Sequence, residues 1–295
     1  MQNRQVVVHR YSFNGAPGTT TITDSAGDAH GTLLNGSETA TLTGSGQLTL
    51  DGNASSGFVS LPSGLMGTLT NATFETWVTN LSAFSDWAEL WAFGTNDGVQ
   101  GLTYMALIPN NPDTHKLRLD YHGQWVDAPV SLPFTNGVCV TITYNYSAQT
   151  ASIFMNGRKV AAGTMTQPLY TIPDGNNYIG QSEWYGSGDP YFNGVLDEFR
   201  IYSGVVSDFQ IAIDAAAGPD NIVTDPGTLL SISVIASTNV DVHGAAIPVQ
   251  VLANFANVSG VDVTTLPQTT VTSGNPSTGT MWMETLPQKM LVLQW

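Results

Sequence analysis

The sequence has little cysteine and few basic residues. Cys139 is the only cysteine among 295 residues, so no disulfide bond can form within the chain. Lysine and arginine together number 8, against 23 aspartate and glutamate residues, and the formal net charge is −15. A surface of that sign repels nucleic acid and anionic membranes, so we expect neither as a partner.

Long apolar runs are also missing. No run reaches the roughly 18 apolar residues that a membrane-spanning helix needs. The apolar stretch at residues 5–8 is too short for the core of a secretion signal, so an exported protein would have lost its leader. P-loop, dinucleotide-binding, Gly-x-Ser-x-Gly and His-Glu-x-x-His motifs are absent, which leaves the corresponding enzyme classes without support.

Short segments of alternating polar and apolar residues recur between clusters of Gly, Asn, Asp and Pro. This pattern is typical of an antiparallel β-sandwich, and a charged fraction of 11% suits an extracellular all-β protein. One helix is predicted over residues 207–217, between a capping Ser207 and a Gly218-Pro219 stop. The predicted strands are residues 6–13, 46–50, 58–61, 72–78, 88–93, 103–108, 117–121, 138–144, 151–155, 177–179 and 194–202.

Four separated segments resemble the laminin-G-like branch of the concanavalin A-like lectin/glucanase superfamily. They are Leu50–Gly52, Phe74–Val78, Phe154–Val160 and Tyr191–Tyr202. The resemblance covers about residues 8–206 and implies an all-β jelly-roll sandwich over residues 1–206. Because this fold hosts lectins, carbohydrate-binding modules, adhesins and glycoside hydrolases, the resemblance does not specify an activity.

A helix and linker are predicted over residues 207–227, and residues 228–295 look like a small group 2 bacterial immunoglobulin-like domain. The similarity rests on the strand order and on the turns at residues 262–264 and 273–277. Such modules are usually spacers, so the resemblance implies a secreted or cell-surface protein.

Residues 280–295 break the immunoglobulin-like pattern. Met281 and Trp282 have single codons, and reading the implied DNA two bases later gives Val-Asp-Gly, as the pattern requires. We therefore expect that a frameshift or truncation has left this domain without its last strands. A divergent native tail is the alternative.

The run Asp86–Phe93 predicts a sugar-binding surface. Small or aliphatic residues alternate there with Trp87, Glu89 and Trp91, which predicts that these three side chains face a concave sheet. Two indoles flanking a carboxylate can stack on a pyranose and accept its hydroxyl hydrogen bonds. The alternative is that the tryptophans pack under a loop and that Glu89 is merely solvated.

Two further segments supply ligand-binding candidates near strand ends, where loop aromatics often serve binding. A lone histidine in such a turn is more often structural. The candidates are His122 and Trp125 in one segment, and Glu183, Trp184 and Tyr185 in the other.

A glycosidase needs two carboxyl groups across its substrate, and Glu75 with Glu89 would supply them if both lie on one concave face. Asp120 and His122 are further catalytic candidates. However, glucanases of the superfamily carry a Glu-x-Asp-x-Glu or Glu-x-Asp-x-x-Glu strand, and no acid stands two residues after Glu89. A scaffold ion pair between Glu75 and Arg200 is the expected alternative.

The family resemblance also implies one structural calcium ion at the edge of the sandwich, because members often bind it through N-terminal oxygens and an acid of the last strand. Calcium prefers hard oxygen ligands, and the sequence offers many. The matching ligands are Asp24, Asp28 and Asp197. The alternative is an ordinary Asx turn at residues 24–28.

Together these features predict a non-catalytic carbohydrate-binding or adhesion module of an exported multidomain bacterial protein, with a polysaccharide or other glycan as its partner. A glycoside hydrolase and a purely architectural domain are the alternatives.

Overall fold

The computed structural model describes residues 6–53, 56–82, 86–236 and 249–270. The segments at 273–277 and 280–295 lie outside the described residues. The chain divides into two compact units, one of residues 1–155 and 159–206 and one of residues 156–158 and 207–295. Among the described residues, no helix is long and apolar enough to cross a membrane.

Two sheets make up the first unit. In chain order their strands are β1 (Val6–Tyr11), β2 (Thr21–Ile22), β3 (Gly31–Leu34), β4 (Thr41–Leu42), β5 (Leu48–Asp51), β6 (Phe58–Leu61), β7 (Asn71–Asn80), β8 (Trp91–Asn96), β9 (Gly101–Asn111), β10 (Lys116–Tyr121), β11 (Gln124–Asp127), β12 (Gly137–Asn145), β13 (Thr150–Met155), β14 (Arg158–Thr164), β15 (Asn176–Ile179) and β16 (Asn193–Ser203).

The two sheets have eight strands each. Sheet A has the order β14-β13-β12-β7-β16-β5-β4, with β1 also paired to β16. Sheet B has the order β11-β10-β9-β8-β15-β6-β3-β2. Neighbours such as β7 and β16 are far apart in sequence and pair antiparallel, as a jelly-roll sandwich requires.

Aromatic side chains from both sheets pack together and form the centre of the core. Phe74 of β7 stacks on Trp91 of β8, with ring centroids 5.1 Å apart. Phe199 of β16 lies 6.2 Å from Trp91 and 6.3 Å from Phe93. Each such ring buries roughly 150–250 Å², so these contacts supply a large share of the hydrophobic stabilisation. The all-β sandwich predicted from the sequence is therefore confirmed.

A buried ion-pair network lies on the other face of sheet A. Arg200 is directly opposite Glu75 in the β7–β16 ladder, and its Nη1 is 3.6 Å from Glu75 Oε2. Its guanidinium also bonds Glu198 and lies 4.4 Å from the ring centroid of Trp77. The predicted scaffold ion pair between Glu75 and Arg200 is thus confirmed.

The second unit begins with the one α-helix of the described chain, α1 (Asp208–Ala217). Ser207 caps it by accepting a hydrogen bond from the Gln210 amide, as the sequence predicts. The helix packs within this unit's own core, whereas the predicted start of the second domain is residue 228. A sheet of order β17-β18-β19 follows, with β17 (Leu229–Ala236), β18 (Val249–Phe255) and β19 (Val261–Asp262).

Candidate functional site

A row of residues crosses sheet B on the face away from the core. Each residue of the row is directly opposite the next one on the neighbouring strand. In order from β11 to β15, the row is Trp125, Asp120, Ala106, Ala92 and Tyr178. Residues directly opposite each other in antiparallel strands point to the same face. Their neighbours along the strands, among them Leu119, Leu107 and Trp91, belong to the core. We call this row the sheet B row.

Trp125 is the exposed end of the sheet B row. It lies on the edge strand β11, and 54% of its surface is exposed. The Arg118 guanidinium lies 4.7 Å from the ring centroid and is held by Asp127 through bonds of 2.7 and 3.0 Å. The indole is therefore oriented by a fixed cation, and part of it faces solvent.

Asp120 is the acid beside this indole. It is 8% exposed, and its Oδ1 has no hydrogen-bond partner among the described residues. Burial raises the pKa of Asp120, although the Arg118 charge opposes the shift. A buried carboxylate oxygen without a donor costs free energy unless a proton or a ligand satisfies it.

The segment Gln181–Asp189 lies beside the other end of the row. Glu183 donates its backbone N–H to Glu89 Oε2 at 2.9 Å, and Asn96 Nδ2 donates to Glu183 Oε2 at 2.7 Å. Ser187 Oγ also donates to the Val99 carbonyl at 2.8 Å. These bonds attach the segment to the β8–β9 hairpin and to the chain before β8.

Three carboxyl groups meet in this region, those of Glu89, Glu183 and Asp189, which we call the acid cluster. Burial raises the pKa of Glu89 well above its usual value, and the charges of Glu183 and Asp189 raise it further. Burial also raises the pKa of Glu183 to about 7, although the hydrogen bond from Asn96 acts to lower it. The pKa of Asp189 is raised by burial too, although the Ser182 hydroxyl opposes the shift.

Tyr104 connects the acid cluster to the sheet B row. It is opposite Gly94, two residue pairs along from Ala92 and Ala106 and therefore on the same face. Burial raises the pKa of its hydroxyl, and the charges of Asp120, Glu89 and Asp189 raise it further. The acids of the row and of the cluster therefore surround one tyrosine.

Trp91 has the opposite orientation to the one predicted. It is 0% exposed and stacks in the core, so it cannot bind a ligand on the surface. The reason is that β8 begins only at Trp91, while Trp87 has a left-handed φ of 64°. Strand alternation therefore does not extend back to residue 86, and the predicted platform of two indoles around Glu89 does not form.

The other members of that run have different environments. Trp87 is 36% exposed, at the edge of a turn. Glu89 is buried and bonded to the Glu183 amide, not solvated. The segment of the predicted candidates Glu183, Trp184 and Tyr185 is thus bonded to Glu89 through Glu183, a pairing that no sequence pattern indicates.

Glu75 and Glu89 do not share a face, contrary to the catalytic pairing considered from the sequence. Glu75 lies on sheet A in the ion pair with Arg200, whereas Glu89 lies beside sheet B. His122 and Gly123 form the two-residue β10–β11 turn, with φ of 43° and 85°. Such a turn needs positive φ at both of its residues, and the charge of His122 acts on Asp120 of the sheet B row.

Four members of the site were not among the predicted residues. Tyr104 and Tyr178 could have been found, because each alternates with core residues along its strand. Asn96 and Asp189 carry no pattern, since their role depends on which hairpin the segment Gln181–Asp189 contacts.

The predicted calcium ligands do not form a ligand set. Both Asp24 oxygens face hydrogen-bond donors, which are His9 Nδ1 and the amides of Arg10, Ala26, Gly27 and Ala29, at 2.7–3.2 Å. Asp197 accepts a bond from Gln47, and Asp28 is exposed. No group of three acidic, histidine or cysteine side chains within the described ranges could hold a metal ion. The Asx-turn alternative describes Asp24 better.

The chain belongs to the concanavalin A-like lectin/glucanases superfamily, whose sequence profile matches residues 51–212. A comparison with curated proteins gives no significant match.

Among solved structures, the fold resembles domain 4 of AbnA, an extracellular GH43 arabinanase of Geobacillus stearothermophilus that was solved with arabinotriose. The two share 20% sequence identity and a TM-score of 0.53, and the match covers 71% of this chain and 98% of that domain. Trypanosoma rangeli sialidase in complex with sialic acid is similar with 17% identity and a TM-score of 0.52 over 74% of this chain. The match spans 34% of the sialidase, so it concerns one part of that enzyme. At these identities the similarity is one of fold.

Proposed function

We propose that the first unit is a glycan-binding module whose ligand lies on the outer face of sheet B, along the sheet B row. The observation that carries this proposal is the pairing of an exposed, oriented indole at Trp125 with a buried acid oxygen at Asp120 that has no donor. An aromatic face stacks on the C–H face of a sugar ring, and a carboxylate accepts hydrogen bonds from its hydroxyls.

The fold neighbours support an oligosaccharide as the class of ligand. Domain 4 of the arabinanase was solved with arabinotriose and the sialidase with sialic acid. The arabinanase is extracellular, which supports a secreted or cell-surface location for this chain as part of a larger exported protein. The resemblance of residues 228–295 to an immunoglobulin-like spacer agrees with that location.

The test is a binding measurement with Trp125→Ala. A panel of soluble polysaccharides, including arabinan, is screened by affinity electrophoresis, and the hits are measured by calorimetry. We expect the variant to lose about 1–3 kcal/mol of binding free energy while keeping its fold, because an exposed residue contributes little to the core.

A matched control is Phe134→Ala, since Phe134 is 49% exposed but lies beside β7 of sheet A, away from the row. It should bind as the wild type does. If Trp125→Ala binds as tightly as Phe134→Ala, the ligand does not use the sheet B row.

A glycoside hydrolase is the second candidate, and the acid cluster favours it. A carboxyl group with a pKa of about 7, as at Glu183, can donate a proton near neutral pH, and Glu89 accepts a hydrogen bond from the backbone N–H of the same residue. A hydrolase should release reducing ends from a bound glycan and lose nearly all turnover in Glu183→Gln. A binding module should retain the glycan and release none in either form.

A further inference from the structure

The acid cluster contains three carboxyl groups without a matching cation. Within the described part of the chain, the ion pairs involve other acids, and none includes Glu89, Glu183 or Asp189. Arg118 lies on the same face but is bound in two places to Asp127. The charges of Asp120, Glu89 and Asp189 all act on Tyr104, whereas the cations Arg118 and His122 act on Asp120.

Two buried oxygens on this face also lack donors. They are Glu183 Oε1, in a side chain that is 0% exposed, and Asp120 Oδ1. The other Glu183 oxygen accepts from Asn96, so the side chain is fixed with one oxygen unused. Such acceptors need donors, and the described protein supplies none.

Resting on the proposed function, we propose that the glycan bound at this face carries a free amino group, as in a hexosamine, and that its ammonium binds at the acid cluster. An ammonium group has three donors and no acceptor, so it matches unsatisfied carboxylate oxygens better than a hydroxyl does. Asp189 is the partly exposed member of the acid cluster, and Trp184 and Tyr185, which follow Glu183 in the chain, are partly exposed as well. An anionic sugar would supply no cation and would disfavour the charged forms of these carboxyl groups, so it should bind poorly.

The raised pKa values of Glu89 and Glu183 support the same assignment. Burial raises the pKa of Glu183 to about 7 and that of Glu89 well above its usual value, and no described cation stabilises the charged form of either carboxyl group. A bound ammonium would supply that stabilisation, so binding should release protons to the buffer. A neutral sugar would not cause this release.

The test compares, against the full chain, two oligosaccharides that differ only in the group at C2: a hexamer of glucosamine, which carries free amines, and a hexamer of N-acetylglucosamine, in which each amine is a neutral acetamide. Titration calorimetry at pH 6.5 in two buffers of different ionisation enthalpy gives affinity and proton release together. We expect the glucosamine hexamer to bind roughly tenfold more tightly, since hydrogen bonds to charged groups are stronger than neutral ones. Proton release should accompany the glucosamine hexamer alone.

Glu183→Gln should abolish the preference and the proton release, and Asp189→Asn should weaken both. Glu38→Gln makes the same chemical change at an exposed position outside sheet B and should leave both intact. Thermal melting of each variant confirms that it folds. Asp189 is partly exposed, so its variant keeps the test valid if Glu183→Gln does not fold.

A preference that persists in both site variants, or equal binding of the two hexamers, would overturn the amino-sugar assignment. If neither hexamer binds but a neutral polysaccharide of the panel does, this assignment fails while the proposed function stands. If no glycan binds at all, both fail.

Discussion

The same residue type has opposite roles at two positions of sheet B, and this difference leads to a stability prediction. Trp91 is wholly buried against Phe74 and Phe93, whereas Trp125 is exposed on the edge strand. Trp91→Ala leaves a large cavity and should lower the free energy of unfolding by about 3–5 kcal/mol. Trp125→Ala should change it by less than about 1 kcal/mol.

Urea denaturation of both variants measures the difference. Similar losses in the two variants would contradict the assignment of Trp91 to the core and Trp125 to the surface. The sequence could not assign Trp91 to the core, because it does not show where β8 begins.

Asp24 provides a second prediction at the residue scale. Hydrogen bonds from the amides of Arg10, Gly27 and Ala26 and from His9 lower its pKa below the usual value, and they outweigh burial, which alone would raise it. Its contribution to stability is therefore present above the unfolded pKa of 3.8 and is lost as the pH falls through the folded pKa. Asp24→Ala should cost about 2–4 kcal/mol at pH 7, because several partly buried amides lose their acceptor.

Thermal melting between pH 2 and pH 7 measures this loss, and the variant should show a shallower dependence on pH than the wild type. The same assay with added calcium or a chelator tests the metal predicted from the family resemblance. A calcium-dependent rise in melting temperature that disappears in Asp24→Ala would show that Asp24 is a ligand after all.

At the scale of elements, alternation predicted the long central strands and missed short edge strands. The predicted strands at 72–78, 138–144 and 194–202 correspond to β7, β12 and β16, whose many residues make a period of two visible. The missed strands include β2 and β4, with two residues each, and β11 and β14 at sheet edges. Short and edge strands bury few side chains, so their sequences carry little pattern. Yet β11 supplies Trp125, and the site therefore depends on a strand that the pattern did not show.

The docking of the segment Gln181–Asp189 on the β8–β9 hairpin leads to a prediction for Gly186. A Cβ atom there would lie 2.1 Å from the Gly98 carbonyl oxygen and 2.7 Å from Val99 Cα, both of them backbone atoms. Gly186→Ala must therefore displace the segment and the acid cluster with it. We expect glycan affinity to fall about tenfold or more, with the core of the sandwich unaffected.

The matched control is Gly67→Ala, because a Cβ atom at Gly67 meets nothing within 4 Å. Hydrogen exchange of residues 181–189, measured beside glycan affinity, should increase in Gly186→Ala and not in Gly67→Ala. Unchanged exchange in Gly186→Ala would show that this segment is not held by the contact.

At the scale of the whole molecule, the net charge of −15 and the buried acids act in the same direction on stability. Lowering the pH towards 5 reduces repulsion between surface carboxylates and also favours protonated Glu89 and Glu183. Composition predicted the first effect. The second depends on burial and on contacts between segments distant in sequence, which composition does not contain.

Glu183→Gln separates these two effects. Because the folded pKa of Glu183 is raised from 4.5 to about 7, the unfolded chain releases this proton at lower pH than the folded chain does. Stability is therefore lost as the pH rises from about 4.5 to about 7, by up to about 3 kcal/mol.

A glutamine at position 183 is neutral throughout and can still accept the hydrogen bond from Asn96. The variant should therefore be more stable than the wild type at pH 8 and equal to it near pH 4.5. Glu38→Gln, which also removes one negative charge but at an exposed position, should show little of this gain. Urea denaturation of the wild type, Glu183→Gln and Glu38→Gln at pH 4.5 and pH 8 measures the free energy of unfolding of each. An equal gain in stability from the two substitutions at pH 8 would mean that net charge, not the buried Glu183 carboxyl, sets the pH dependence.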